Sequence, residues 1–151
     1  MGGKTSKVGV LVGGFPRESA FAGYLGGVRV NLRMPDVFTF NLGTASRVSL
    51  DPLRVGPESV TQDLVSRSLI FGGSDLTAID IAVAAGINDI GQRSAVANLP
   101  PRKVEAVMRE MQRMVQQAVN RMRVPTTPVP VVLVGSGSVL LRISLTGVSD
   151  V

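Results

Sequence analysis

The chain has 151 residues, 44% of them hydrophobic and only 4% aromatic, carries a net charge of +5, and contains neither His nor Cys. That length is read as one domain over residues 1–151, with a core of Val, Leu, Ile, Ala and Met. The missing residue types exclude a Ser-His-Asp triad, a thiol nucleophile, a disulfide framework and the common zinc sites. Any chemistry therefore rests on carboxylates, Lys, Arg, hydroxyls, backbone dipoles or a bound metal.

In chain order, residues 7–12 read as a Val-rich strand and Gly13-Gly14 as a hairpin turn. Residues 15–22 would return, with Pro16 marking an edge. Gly26-Gly27 turns again into a strand over 28–32, Pro35-Asp36 into one over 37–40, and the small-residue loop 43–46 into extended structure over 47–50. The first seventy or so residues are thus expected to be antiparallel β, closed by Gly72-Gly73.

The character then changes. Ser74 or Asp75 is expected to cap a buried helix over 77–85 that stops at Gly86. Residues 89–99 read as loop with a short helical turn. The spacing of Val104, Val107, Met108, Met111, Met114, Val115, Ala118, Val119 and Met122 predicts an amphipathic helix over 101–122, with Pro101 in its first turn. Pro125, Pro128 and Pro130 form a stiff connection after this helix. The apolar run 131–134 reads as a strand covered on both faces, and 139–145 as a helix start or another strand.

No apolar run approaches the ~20 residues that span a bilayer. The start lacks the apolar core of a secretory signal, so no membrane is expected and the cytoplasm is the expected compartment. Met1-Gly2 with Ser6 fits only the loose myristoylation pattern. The Arg-rich stretch 102–123 reads as a solvated helix face, and the scarcity of aromatics for stacking weighs against nucleic acid.

Gly3-Lys4-Thr5 has the composition of the end of a Walker A loop, but that motif needs a strand before it and a helix after it, and here a β segment comes next. A glycine- and hydroxyl-rich turn between antiparallel strands is the better template. Its backbone amides can face phosphates because glycine permits close approach. Gly2, Gly3, Thr5 and Ser6 are the candidates for such a turn, and Thr44 and Ser46 for a second one. Gly135, Gly137 and Ser138 come directly after an apolar run, where a ligand can reach the carboxyl end of a sheet. Each segment, taken singly, also reads as an ordinary Gly-rich turn.

In order along the chain, Val8-Gly9-Val10-Leu11-Val12, Gly14-Phe15-Pro16-Arg17-Glu18-Ser19, Met34-Pro35-Asp36-Val37, Val55-Gly56-Pro57-Glu58-Ser59, Phe71-Gly72-Gly73, Leu76-Thr77 with Asp80-Ile81-Ala82, and Val131 to Ser138 resemble the hydantoinase A/5-oxoprolinase family. The resemblance implies an α/β domain of the ribonuclease H-like, actin-like ATPase fold: a mixed sheet with an antiparallel N-terminal β part and packed helices. It implies ATP with Mg²⁺ and the hydrolysis of a cyclic amide. It covers the second of two related ATPase domains, so a homo-oligomer or a missing partner domain is expected. Members of the family carry an acid where Lys7 stands and an Asp before the first glycine pair, and Ser136 interrupts a run that is all glycine in the family. These departures imply a fragment inactive on its own, or a non-catalytic interaction domain derived from the fold.

Overall fold

The computed structural model describes residues 1–19, 23–30, 34–122 and 131–141. Both glycine pairs turn the chain where their spacing predicts. Gly13 and Gly14 have φ of 59° and 85°, and Gly26 and Gly27 have 57° and 83°, as a two-residue hairpin turn with two left-handed positions requires. They join β2 (Leu11–Val12) to β3 (Phe15–Pro16), and β4 (Gly23–Leu25) to β5 (Val28–Val30).

The strands are shorter than the sequence pattern suggests. The single strand expected over 7–12 divides into β1 (Ser6–Gly9) and β2. The return strand expected over 15–22 stops at Pro16, which has no amide with which to extend a ladder; residues 20–22 lie outside the described ones. Pro35-Asp36 is not a turn. Pro35 bridges Glu18, and Asp36 accepts two hydrogen bonds from the Arg17 guanidinium, at 3.0 and 2.7 Å. A proline's fixed φ suits extended chain as well as a turn.

β1 pairs with β6 (Val37–Phe40), Ser6 opposite Phe40. β7 (Ser46–Leu50) pairs with β8 (Leu53–Ser59), with a register irregularity between Ser46 and Val48. Among the described residues the ladders form four separate antiparallel pairs. A parallel contact occurs as the isolated bridge between Ser68 and Asp75.

The β part ends at Ser59, not at Gly72. A 3₁₀ turn Thr61–Asp63, the single turn α1 (Leu64–Arg67) and a second 3₁₀ turn Leu69–Phe71 fill the interval. Gly72, at φ 90°, closes the last of them in the left-handed conformation that ends helical turns. The branched and aromatic residues of this interval suit strands on composition alone, but Ile70 is buried from a helical turn.

α2 (Ala78–Ala84) is buried from Ala78 to Val83, and Gly86, at φ 74°, comes after its end as expected. Its cap is Thr77, in a capping box with Asp80, and neither Ser74 nor Asp75. Asp75 is occupied elsewhere, by Arg47 at 2.8 Å and Arg67 at 2.6 Å. A 3₁₀ turn at Arg93–Val96 precedes α3 (Pro101–Met122), whose bounds match the sequence pattern. Seven large apolar residues of α3, from Val104 to Met122, are buried, each contributing about 1.5–3 kcal/mol. The helix packs on β1, β6, β7, β8 and α2, so one apolar stripe holds two otherwise separate strand pairs. Isolated two-stranded ribbons are marginal in water, which makes α3 the common support.

Residues 131–134 form no ladder, and Val132 and Val134 are 70% and 73% exposed. The strand covered on both faces is therefore not present there. The run leads into a 3₁₀ turn, Ser136–Leu141, which buries Leu140 in the core. Of the segment read over 139–145, residues 142–145 lie outside the described ones, as do the prolines at 125, 128 and 130.

Candidate functional site: a rim built from three glycine loops

The three loops singled out from the sequence meet. The carbonyl of Gly2 accepts from the Thr44 amide at 3.3 Å, and that of Gly3 from the Ala45 amide at 2.8 Å. A Cβ on Gly43 would collide with the Gly3 carbonyl, so backbone meets backbone only because position 43 is glycine. On the other side Met1 carries the link. Its amino group donates to the Val134 carbonyl at 2.5 Å and its carbonyl accepts from the Gly137 amide at 3.3 Å. Gly135, at φ 102°, and Gly137 leave room for Met1, whose atoms would lie 2.5 and 2.7 Å from added Cβ atoms.

The hydroxyls divide into two sets. Ser6 is buried and donates to the Leu42 carbonyl at 2.7 Å. Ser46 is also buried and accepts from the Gly43 amide at 2.9 Å. Both brace loop 42–46 and neither faces outward. Thr5 and Ser138 are half-buried, Gly2 and Gly135 exposed, and Thr44 and Gly137 buried. The Gly2 amide closes a turn onto the Thr5 carbonyl at 3.1 Å, whereas the amides of Gly3, Lys4 and Thr5 have no acceptor among the described residues. Three consecutive amides without an internal acceptor are donors available to an anion.

The rim rests on the start of α2. The Thr44 carbonyl accepts from the Ile79 amide at 3.0 Å. Beneath, Asp80 is 0% exposed and accepts four hydrogen bonds: Ser68 Oγ at 2.6 Å, the Ile70 amide at 2.9 Å, the Thr77 amide at 2.7 Å and Thr77 Oγ1 at 2.7 Å. A buried carboxylate survives only when its lone pairs are filled. The Thr77–Asp80 pattern of the family resemblance is thus a structural hub that fixes α2 beneath the loops. Sequence reasoning missed Ser68 in this hub, and the capping-box spacing from Thr77 to Asp80 was the signal that could have led to it.

Among the described residues no three acidic side chains cluster as metal ligands. Asp80 and Asp75 are fully engaged, and Lys7 is exposed on β1. The described residues thus do not fit a magnesium ion held by protein carboxylates. No helix among them is long and apolar enough to cross a membrane.

No family model matches the sequence, and no curated protein matches it. Among solved structures, the nucleotide-free structure of acetone carboxylase, determined for the mechanism of ATP-dependent acetone carboxylation, is similar to this chain. The two superpose with a TM-score of 0.57 and 14% identity over 82% of this chain and 20% of the other. The chain thus spans about a fifth of that protein's length, and at this identity the likeness is one of fold.

Proposed function

We propose that this chain is a nucleotide-binding domain of the hydantoinase A/5-oxoprolinase kind, on the ribonuclease H-like, actin-like ATPase fold. One observation carries the reading. Glycine loops far apart in the sequence are joined by backbone hydrogen bonds into one rim, in a fold shared with an ATP-dependent carboxylase. In this reading the amides of Gly3, Lys4 and Thr5 receive the phosphates of ATP, with the Thr5 hydroxyl beside them. Gly2 and Thr44 hold that turn in place. Gly135, Gly137 and Ser138 form the adenosine side. Ser6 and Ser46 brace the loops without touching the ligand.

In a complete enzyme of this kind, the carbonyl oxygen of a cyclic amide would take the γ-phosphoryl group of ATP with release of ADP, and would then leave as inorganic phosphate when water opens the ring. The described residues offer no free carboxylate cluster to direct such a step. The domain accordingly binds nucleotide and does not turn it over by itself, and Mg²⁺ arrives with the nucleotide's own phosphates. Calorimetric titration with ATP and Mg²⁺, paired with amide NMR shifts, tests this. Heat, with shifts at Gly3, Lys4, Thr5 and Ser138, is expected. No heat at millimolar nucleotide refutes binding, and ring opening of 5-oxoproline by the chain alone refutes the absence of turnover.

A second reading, an interaction domain in the cytoplasm, is favoured by the β2–β3 hairpin, where Leu11, Val12 and Phe15 are 64%, 62% and 76% exposed. Adjacent exposed apolar side chains mark contact surfaces. Sedimentation showing a clean monomer that Phe15→Ser leaves unchanged would count against self-association.

A further inference from the structure

A cleft of about 680 Å³ opens at the far end of α2 from the rim, between the end of that helix, residues 93–101 and the first turns of α3. Its lining includes none of the rim residues. Ile87, Val96, Leu99, Val104 and Met108 give it an apolar floor. Its charged residues are Arg93, Glu105 and Arg109. Glu105 and Arg109 answer each other loosely at 3.6 Å across solvent. Arg93 has no hydrogen-bond or ion-pair partner among the described residues. Its Nη2 lies 3.5 Å from where a Cβ on Gly86 would stand, so the guanidinium lies along the cleft wall at the end of α2.

An apolar floor beside one unanswered guanidinium selects a ligand with a hydrocarbon body and an anionic head. The volume falls within the roughly 300–1,000 Å³ of small-molecule sites. The planar guanidinium fork matches a carboxylate with two parallel hydrogen bonds. We infer that this cleft binds a small aliphatic carboxylate, seated with its chain on Val104 and Met108 and its carboxylate on Arg93. The site is independent of the nucleotide reading, since it shares no residue with the rim.

The test is an NMR titration of the chain with octanoate, with octanol and octylammonium as controls. Octanoate is expected to shift amides around Arg93 and Val104 saturably, at least tenfold tighter than either control. Arg93→Met, which keeps the stem and removes the fork, is expected to weaken octanoate about tenfold, as for one charge-assisted contact, and to leave octanol unchanged. Ala97→Leu fills the mouth from an exposed helical-φ position and is expected to weaken both. Octanol matching octanoate, an unchanged affinity in Arg93→Met, or shifts confined to the β2–β3 hairpin would each overturn the assignment. A parallel titration with ATP and Mg²⁺ keeps the two proposals separable, because success or failure of either leaves the other unaffected.

Discussion

Removing the Asp80 carboxylate is expected to be the most damaging single polar change in this fold. In Asp80→Ala four buried donors lose their acceptor. The hydroxyls of Ser68 and Thr77 can rotate toward other partners, but the amides of Ile70 and Thr77 are fixed by the backbone. Each orphaned buried donor costs about 1–3 kcal/mol, so the two amides alone give about 2–6 kcal/mol. That approaches the total stability of about 5–15 kcal/mol of an ordinary domain. Asp80→Asn keeps one oxygen for Ser68 and Ile70 but turns an NH₂ toward the Thr77 amide, for an intermediate loss of about 1–3 kcal/mol. Ser68→Ala leaves the carboxylate three donors and loses about 1 kcal/mol. With no Trp and one Tyr, urea unfolding is best monitored by far-ultraviolet circular dichroism, with the exposed Asp63→Ala as the control, expected within about 0.5 kcal/mol of the parent. If Asp80→Ala loses less than about 1 kcal/mol, or loses no more than Asp63→Ala, the hub is not what fixes α2.

Gly43→Ala drives a Cβ into the Gly3 carbonyl and must separate the first two loops. Loss of their two backbone bonds, at about 1 kcal/mol each, together with abolished ATP heat, is the expected result of thermal unfolding and calorimetry. Met111→Ala empties a fully buried position on α3, and urea unfolding should show a loss of about 2–5 kcal/mol. The Arg113 side-chain hydrogen bond holds the Glu110 carboxyl below its ordinary value of 4.5, against a smaller opposing push from burial. Its contribution is therefore complete above pH 4.5 and lost as the pH falls through the lower folded value. Glu110→Gln should cost about 0.2–0.5 kcal/mol at neutral pH and nothing in strong acid, measured as paired unfolding curves across pH.

The helices and glycine turns were legible because their signals are local. The three- and four-residue spacing of α3, Gly86 after α2, and the two glycine pairs each act over a few positions. The fate of the run at 131–134 was not legible, because whether an apolar segment is covered depends on what lies beside it, and Val132 and Val134 stay exposed. The cap of α2 was misread for a related reason. Asp75 has the chemistry of a cap, but distant Arg47 and nearby Arg67 take its oxygens. In the rim, the sequence named the loops but could not separate Thr5, which is half-buried, from Ser6, whose hydroxyl turns inward to Leu42. The division falls where β1 begins, Ser6 being its first residue.

The link from Met1 to Val134 spans 133 positions, whereas each hairpin closes across two residues. Closing so long a chain segment carries roughly 3 kcal/mol more loop entropy than closing a tight turn, from the logarithmic length dependence. The seam between the first and third loops is therefore expected to open before α3 and the strand pairs part. Hydrogen exchange at Gly137 would proceed through that partial opening while the interior of α3 stays protected. Whatever occupies the seam clasps the early and late parts of the polypeptide together, and its grip would be felt across the whole molecule.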